Sequence, residues 1–189
     1  MTDIRVYHSF RSPYSRLGLH LIKRAGLEVA LIPFTGPPKG NGFDDPVQNK
    51  AKLAYYMFDI PRMTMRLGLP IQPPDPFEVD MLPSYKAAVA ASHDGLGLPF
   101  ALAVSDARWG AGRNVADMDV IRQCAEDSGW SPAAADDAQS DLGVKEEMEK
   151  HRQMIEADQV FGVPFAVMGE RKYWGHERFE LLIEDASKD

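Results

Sequence analysis

Cysteine is almost missing from this chain: of 189 residues, Cys124 alone carries a thiol. One cysteine excludes an internal disulfide, a CxxC redox motif and a cysteine-rich zinc site. Its setting, Val120-Ile121-Arg122-Gln123-Cys124-Ala125, reads as helix, so a buried structural thiol is expected rather than a nucleophile. Long apolar runs are also missing, and nothing approaches the roughly 20 apolar residues of a membrane span. Met1-Thr2-Asp3-Ile4-Arg5-Val6 lacks the apolar stretch of a signal peptide, which makes the cytoplasm the expected compartment. There is no surplus of positive charge. Lys and Arg total 21 against 28 Asp and Glu, a net charge of −7, which argues against a nucleic-acid partner because phosphate binding needs a basic footprint. GxGxxG, P-loop, GxSxG and HExxH motifs do not occur, and His8, His20, His93, His151 and His176 have no metal-ligand spacing, so no metal is expected.

What is present has the order of an α/β protein interrupted by helices. Ile4 to His8 is short and β-leaning, and Tyr14 to Ala25 has helical spacing closed by Gly26. Glu28 to Phe34 reads as a second strand, and strand–helix–strand over about 30 residues is the span of a parallel βαβ unit. Residues 35–46 form a Gly/Pro/Asn/Asp loop. A helix is expected over Lys50–Leu67, with a kink or break at Pro61. Pro70 to Pro83 is irregular. Further helices are expected over Ser84–His93, Phe100–Trp109, from the cap Asp117 to Ser128, from Ser131-Pro132, and over Leu142–Ala157. Val163–Met168, a turn at Gly169-Glu170 and Lys172–Trp174 make a β-hairpin, followed by a helix from His176 to Glu184. A sheet built from both chain ends with helices inserted between them is the expected architecture.

Three stretches could carry chemistry. In Ser12-Pro13-Tyr14-Ser15 a strand hands over to a helix, and a hydroxyl there sits among free amides at the positive end of the helix dipole. Ser12 either caps the helix or helps hold an anion such as a phosphate, carboxylate or thiolate. Pro164, in Phe161-Gly162-Val163-Pro164, is either an ordinary trans proline at a strand edge or a cis proline that aims the Val163 backbone at a ligand. Lys52, Tyr55, Asp59 and Arg62 share one helical face, either as a solvated ion-pair face or as the border of an anionic site.

Taken together, these stretches resemble the family of 2-hydroxychromene-2-carboxylate isomerases and kappa-class glutathione transferases, relatives of the periplasmic thiol–disulfide oxidoreductases. Ser12-Pro13-Tyr14-Ser15 looks like the family's Ser-Pro-Tyr/Phe-Ser, in the place of the oxidoreductases' CxxC. Lys52, Tyr55, Asp59 and Arg62, followed by Gly68-Leu69-Pro70, are similar to its K-x-x-Y-x-x-x-D-x-x-R helix and the segment after it. Gly162-Val163-Pro164 resembles its cis-proline loop, and Tyr173-Trp174-Gly175-His176-Glu177-Arg178 its Phe/Tyr-Trp-Gly-x-Asp-Arg segment.

The resemblance implies a thioredoxin-like α/β fold, residues 1–40 and 158–189, with an all-helical insertion over 41–157. It implies glutathione as cofactor and a small aromatic substrate, with Ser12 hydrogen-bonded to the glutathione sulfur held as thiolate. Val163 and Pro164 would meet the cysteinyl part of glutathione, and His176 and Glu177 its γ-glutamyl end. Asn41, in Gly40-Asn41-Gly42, matches the family's asparagine loop. Arg11, Tyr14 and Arg62 are the candidates for the substrate. Ser9, Arg11, Phe165 and Glu177 depart from the family pattern, and Arg11 and Phe165 are expected to reshape the pocket. Relatives imply a homodimer. The alternative expectation is a redox-inactive, thioredoxin-like protein that binds a peptide or partner along Val163-Pro164.

Overall fold

The computed structural model describes residues 3–37 and 48–188. Strand β1 (Ile4–His8) is followed by α1 (Pro13–Ala25) and β2 (Ala30–Pro33), then by six helices: α2 (Lys50–Arg66), α3 (Leu82–His93), α4 (Gly97–Ala111), α5 (Met118–Asp127), α6 (Pro132–Asp137) and α7 (Leu142–Ala157). The chain ends with β3 (Phe165–Met168), β4 (Arg171–Trp174) and α8 (Arg178–Ala186). The sheet order is β2-β1-β3-β4. β1 lies parallel to β2, with Val6 opposite Leu31, and antiparallel to β3, with Val6 opposite Ala166. The first and last thirds of the sequence therefore meet at the centre of one sheet, as the strand pattern predicts.

Alternation along the strands splits the apolar residues between two faces. Val6, Leu31, Ala166, Met168 and Tyr173 join Leu19 of α1, Phe100 of α4, Ile121 of α5 and Phe179 of α8 in one buried cluster. On the other face Tyr7, Ile32, Phe165 and Val167 pack with Ile155 of α7. The sheet and the inserted helices thus share a core. A bidentate pair of 2.9 Å bonds from Arg5 to Asp158, just past α7, fixes that helix against β1.

The expected caps Ser12, Asp117 and Ser131 each accept a first-turn amide, as do Asn49 and Asp141, and Gly26 closes α1 in the left-handed region with φ 64°. Pro61 does not break α2, which runs unbroken from Lys50 to Arg66. The carbonyl that loses its donor belongs to Met57, which is 65 % exposed, so water can satisfy it. Helix α3 begins at Leu82 rather than Ser84, whose hydroxyl instead donates to the Val115 carbonyl. α4 starts three residues early, at Gly97, and α8 two residues late, at Arg178. Cys124 is buried in α5, and burial pushes its thiol up to about 12, so it is the inert structural thiol expected. Among the described residues no helix is long and apolar enough to cross a membrane.

His8, at the end of β1, is buried with neither ring nitrogen hydrogen-bonded among the described residues, and its ring meets Phe10 edge-on at 5.2 Å. Burial first, and the neighbouring His151 second, drop its pKa from 6.5 to about 3. Above pH 6.5 the imidazole is neutral in folded and unfolded chains alike. Below it, the unfolded chain takes up a proton that the folded chain refuses, so stability falls with pH. Urea unfolding should show about 2 kcal/mol lost between pH 6.5 and about pH 5, and His8→Leu should flatten that slope. An unchanged slope in the variant would assign the loss elsewhere.

Candidate functional site

Ser12 lies in the short turn between β1 and α1. Its amide donates to the Ser9 carbonyl at 3.0 Å, and the Ser9 amide donates to the buried Ser15 hydroxyl at 3.2 Å. The Ser12 hydroxyl oxygen caps α1 by accepting the Ser15 amide at 3.1 Å. Pro13, in the first turn, has no amide to satisfy. The cap uses a lone pair on the oxygen and leaves the hydroxyl proton to donate to something else. That proton and the Tyr14 amide lie at the positive end of a 13-residue helix, a favourable place for an anion. The two readings of Ser12 are therefore compatible.

The Val163-Pro164 bond is cis. The Pro164 carbonyl accepts the Gly175 amide at 2.9 Å, which ties this loop to the turn after β4. Helix α1 comes very close here: a Cβ on Gly18 would lie 2.8 Å from the Phe179 ring and 3.4 Å from the Pro164 Cβ. Phe165, expected to reshape the pocket, is instead buried against Tyr7 and Phe161 on the face toward α7, because its strand position points that way.

The Tyr14 ring stacks on His176 with centroids 5.2 Å apart and planes 12° from parallel. Its hydroxyl donates to Asp59 of α2 at 2.6 Å, and Tyr56 meets it edge-on at 5.6 Å. Asp59 also accepts from Arg62 at 2.8 Å, with Tyr55 at 3.5 Å from the same guanidinium. Burial alone would raise the Asp59 pKa, but the bonds from Tyr14 and Arg62 outweigh it and hold the carboxyl below its ordinary value. Burial, with the Asp59 carboxylate adding to it, pushes the Tyr14 phenol up, so this hydroxyl stays a donor.

His176 is buried, and its Nε2 has no hydrogen-bond partner among the described residues. Its Nδ1 lies 3.3 Å from the exposed Glu177 carboxylate. Burial lowers its pKa against the upward pull of Glu177, Asp59 and Glu180, so the ring is neutral.

Of the residues picked from sequence, Tyr14, Arg62, His176 and Glu177 are therefore linked by contacts among α1, α2 and the turn after β4, and Pro164 is tied to that turn through Gly175; Ser12 caps the same α1, and Val163 is the other half of the cis bond. Arg62 is occupied by Asp59. Arg11 points elsewhere and pairs with Glu78 at 2.8 Å. Asn41 lies outside the described residues. Sequence reading noted Ser9 only as a departure from the family pattern and did not single out Tyr85 or Arg108. The signal for Arg108 was present, since it is a cation set against Trp109 in a helix otherwise rich in apolar residues. Among the described residues no group of three or more His, Cys, Asp or Glu is placed to hold a metal.

Residues 3–186 match the DSBA-like thioredoxin domain. The chain belongs to this family. It is 26% identical over 187 residues, 95% of both chains, to a 2-hydroxychromene-2-carboxylate isomerase of Sphingobium xenophagum. Its structure is similar to that of a 2-hydroxychromene-2-carboxylate isomerase, with a TM-score of 0.80 at 21% identity, covering 98% of this chain and 95% of the other. It is also similar to the cytosolic disulfide reductase DsbM of Pseudomonas aeruginosa with GSH, with a TM-score of 0.69 at 18% identity over 99% of this chain and all of the other. Within this DSBA-like domain, serine stands at both ends of the Ser12–Ser15 motif, and the only thiol is buried in α5.

Asp59 is the junction of this network. Asp59→Ala would leave the Tyr14 hydroxyl and the Arg62 guanidinium without their acceptor and should cost about 1–3 kcal/mol in urea unfolding. Arg62→Ala, at the exposed end of the pair, should cost less. An Asp59→Ala protein as stable as the parent would remove the network from the account.

Proposed function

We propose that this protein is a glutathione-dependent isomerase or transferase acting on small aromatic acids or electrophiles. The observation that carries the proposal is the Ser12 hydroxyl. It caps α1 with a lone pair and keeps its proton for an anion at the helix N-terminus, in a chain with no accessible thiol.

The residues fit glutathione. Ser12 offers a hydroxyl proton, the buried His176 Nε2 has no partner among the described residues, and the exposed Glu177 can meet an ammonium group. The chemistry supplied by bound glutathione is reversible addition of its sulfur to a conjugated double bond, which frees that bond to rotate. Ser12 would stabilise the sulfur anion by donating to it, while being unable to form a mixed disulfide. Val163 and Pro164 would align the peptide backbone of the cofactor beside that sulfur. The Tyr14–His176 stack would keep the helix start and the γ-glutamyl end in register. The printed activity of the Sphingobium relative supports the isomerase reading. The GSH-bearing reductase shares the fold of this chain. A homodimer in the cytoplasm, where reduced glutathione is available, belongs to the same proposal.

Assay of 2-hydroxychromene-2-carboxylate isomerisation, with and without glutathione, tests it. Turnover should require glutathione, and Ser12→Ala should lower it about 10²-fold, the usual loss when a donor to a developing anion is removed. Undiminished glutathione-dependent turnover in Ser12→Ala would overturn the role of Ser12. Insulin reduction above background would overturn the exclusion of disulfide exchange.

A further inference from the structure

The turn that carries Ser12 belongs to no strand or helix, yet the inserted helices reach it at two points. From α3 the Tyr85 hydroxyl shares a 2.6 Å bond with the Ser9 hydroxyl, and from α4 the Trp109 indole donates to the Phe10 carbonyl at 2.9 Å. Ser9, Phe10, Tyr85 and Trp109 are all buried. The Phe10 ring stacks on Tyr85 with centroids 5.4 Å apart and planes 19° from parallel. The ring of Tyr85 is thus held by packing, and its hydroxyl has a separate task. Burial pushes that phenol up, so at neutral pH it keeps its proton.

Ser9 passes the hold on to Ser12. Its hydroxyl accepts the Arg11 amide at 3.2 Å, and its carbonyl accepts the Ser12 amide at 3.0 Å. Its own amide donates to the Ser15 hydroxyl at 3.2 Å, and the Ser15 amide donates to the Ser12 hydroxyl oxygen at 3.1 Å. Ser9 is therefore bonded to the residue before Ser12, to Ser12 itself, and to the residue that Ser12 caps. These bonds make a circuit around the start of α1, and Tyr85 joins it from 76 residues away.

We infer that the Tyr85 hydroxyl, acting through Ser9, is a positioning group for Ser12: the inserted helix α3 sets the aim of the hydroxyl proton at the start of α1. A donor to a sulfur anion must be held in place before the anion forms, and small displacements cost much of its effect. A bare turn has no ladder to supply that rigidity, whereas a buried bond to a packed phenol does. The inference rests on the role proposed above for Ser12 and gives the helical insertion a part in it.

The test is Tyr85→Phe, which removes one oxygen and keeps the ring on Phe10, read in two ways. In the chain without glutathione, amide hydrogen exchange at Arg11 and Ser12 should speed up about tenfold, the effect of one lost buried bond, with the amides of β3 and β4 unchanged. With glutathione bound, its thiol should titrate at a higher pH than in the parent. The kcat should fall about tenfold, and the KM for glutathione should change by less than about twofold. Ser9→Ala should give the same changes, and the double variant should add nothing to either, because both remove one path. Unchanged exchange at Arg11 and Ser12 would overturn the inference, and so would faster exchange with an unchanged thiol titration. A parent that binds no glutathione would overturn the function proposed above instead, and the exchange would still decide whether Tyr85 holds the turn.

Discussion

Helix α1 can lie against α8, in contact with the Val163-Pro164 loop, because residue 18 has no side chain. A Cβ there would stand 2.8 Å from the Phe179 ring, so a larger residue would push the helix off α8, while at 3.4 Å it would only touch the Pro164 Cβ. Much else depends on this approach. It joins the first helix of the chain to elements some 150 residues later and lets the Tyr14 ring reach His176. The sheet repeats the constraint, since β1 pairs with β2 on one side and with β3 on the other. A site at this junction draws on both ends of the chain, and the helices inserted between them supply its remaining walls.

The electrostatics of the junction follow from what cysteine no longer does. In a dithiol protein, the helix N-terminus lowers the pKa of a cysteine of its own. Here the same field acts on a serine, whose proton is its useful part, so any thiolate must arrive from outside. Asp59 and Tyr14 are bound up with each other, and His176 is kept neutral by burial. Among the residues of this junction, the exposed Glu177 is left to meet a cation and the helix start to meet an anion. That polarity suits a zwitterionic peptide such as glutathione, with its ammonium at one end and its sulfur at the other.

Much of this was legible in the residues themselves. The Ser12 cap, the Gly26 stop, the C-terminal hairpin and the buried Cys124 all follow from local rules that need only neighbours in sequence. The break offered at Pro61 does not occur, since the cost of proline inside a helix falls where the orphaned carbonyl can reach water, and Met57 is exposed. Phe165 misled because a strand residue one position from a loop can face either side of the sheet. The Tyr14–Asp59 bond spans 45 residues, the Arg11–Glu78 pair 67 and the Trp109–Phe10 bond 99. No periodicity encodes such pairings, so a stripe of polar residues on α2 and a lone arginine in α4 could be noticed but not assigned partners.

The most direct measurement of the central claim is the pKa of the glutathione sulfur in the complex, followed by the ultraviolet absorbance of its thiolate as pH is raised. The account predicts that the bound thiol titrates below about 7, against about 8.5 for an ordinary cysteine thiol, because the Ser12 hydroxyl and the α1 N-terminus favour the anion. A bound sulfur that titrates at its free value would contradict it: the helix start would then be a cap and nothing more.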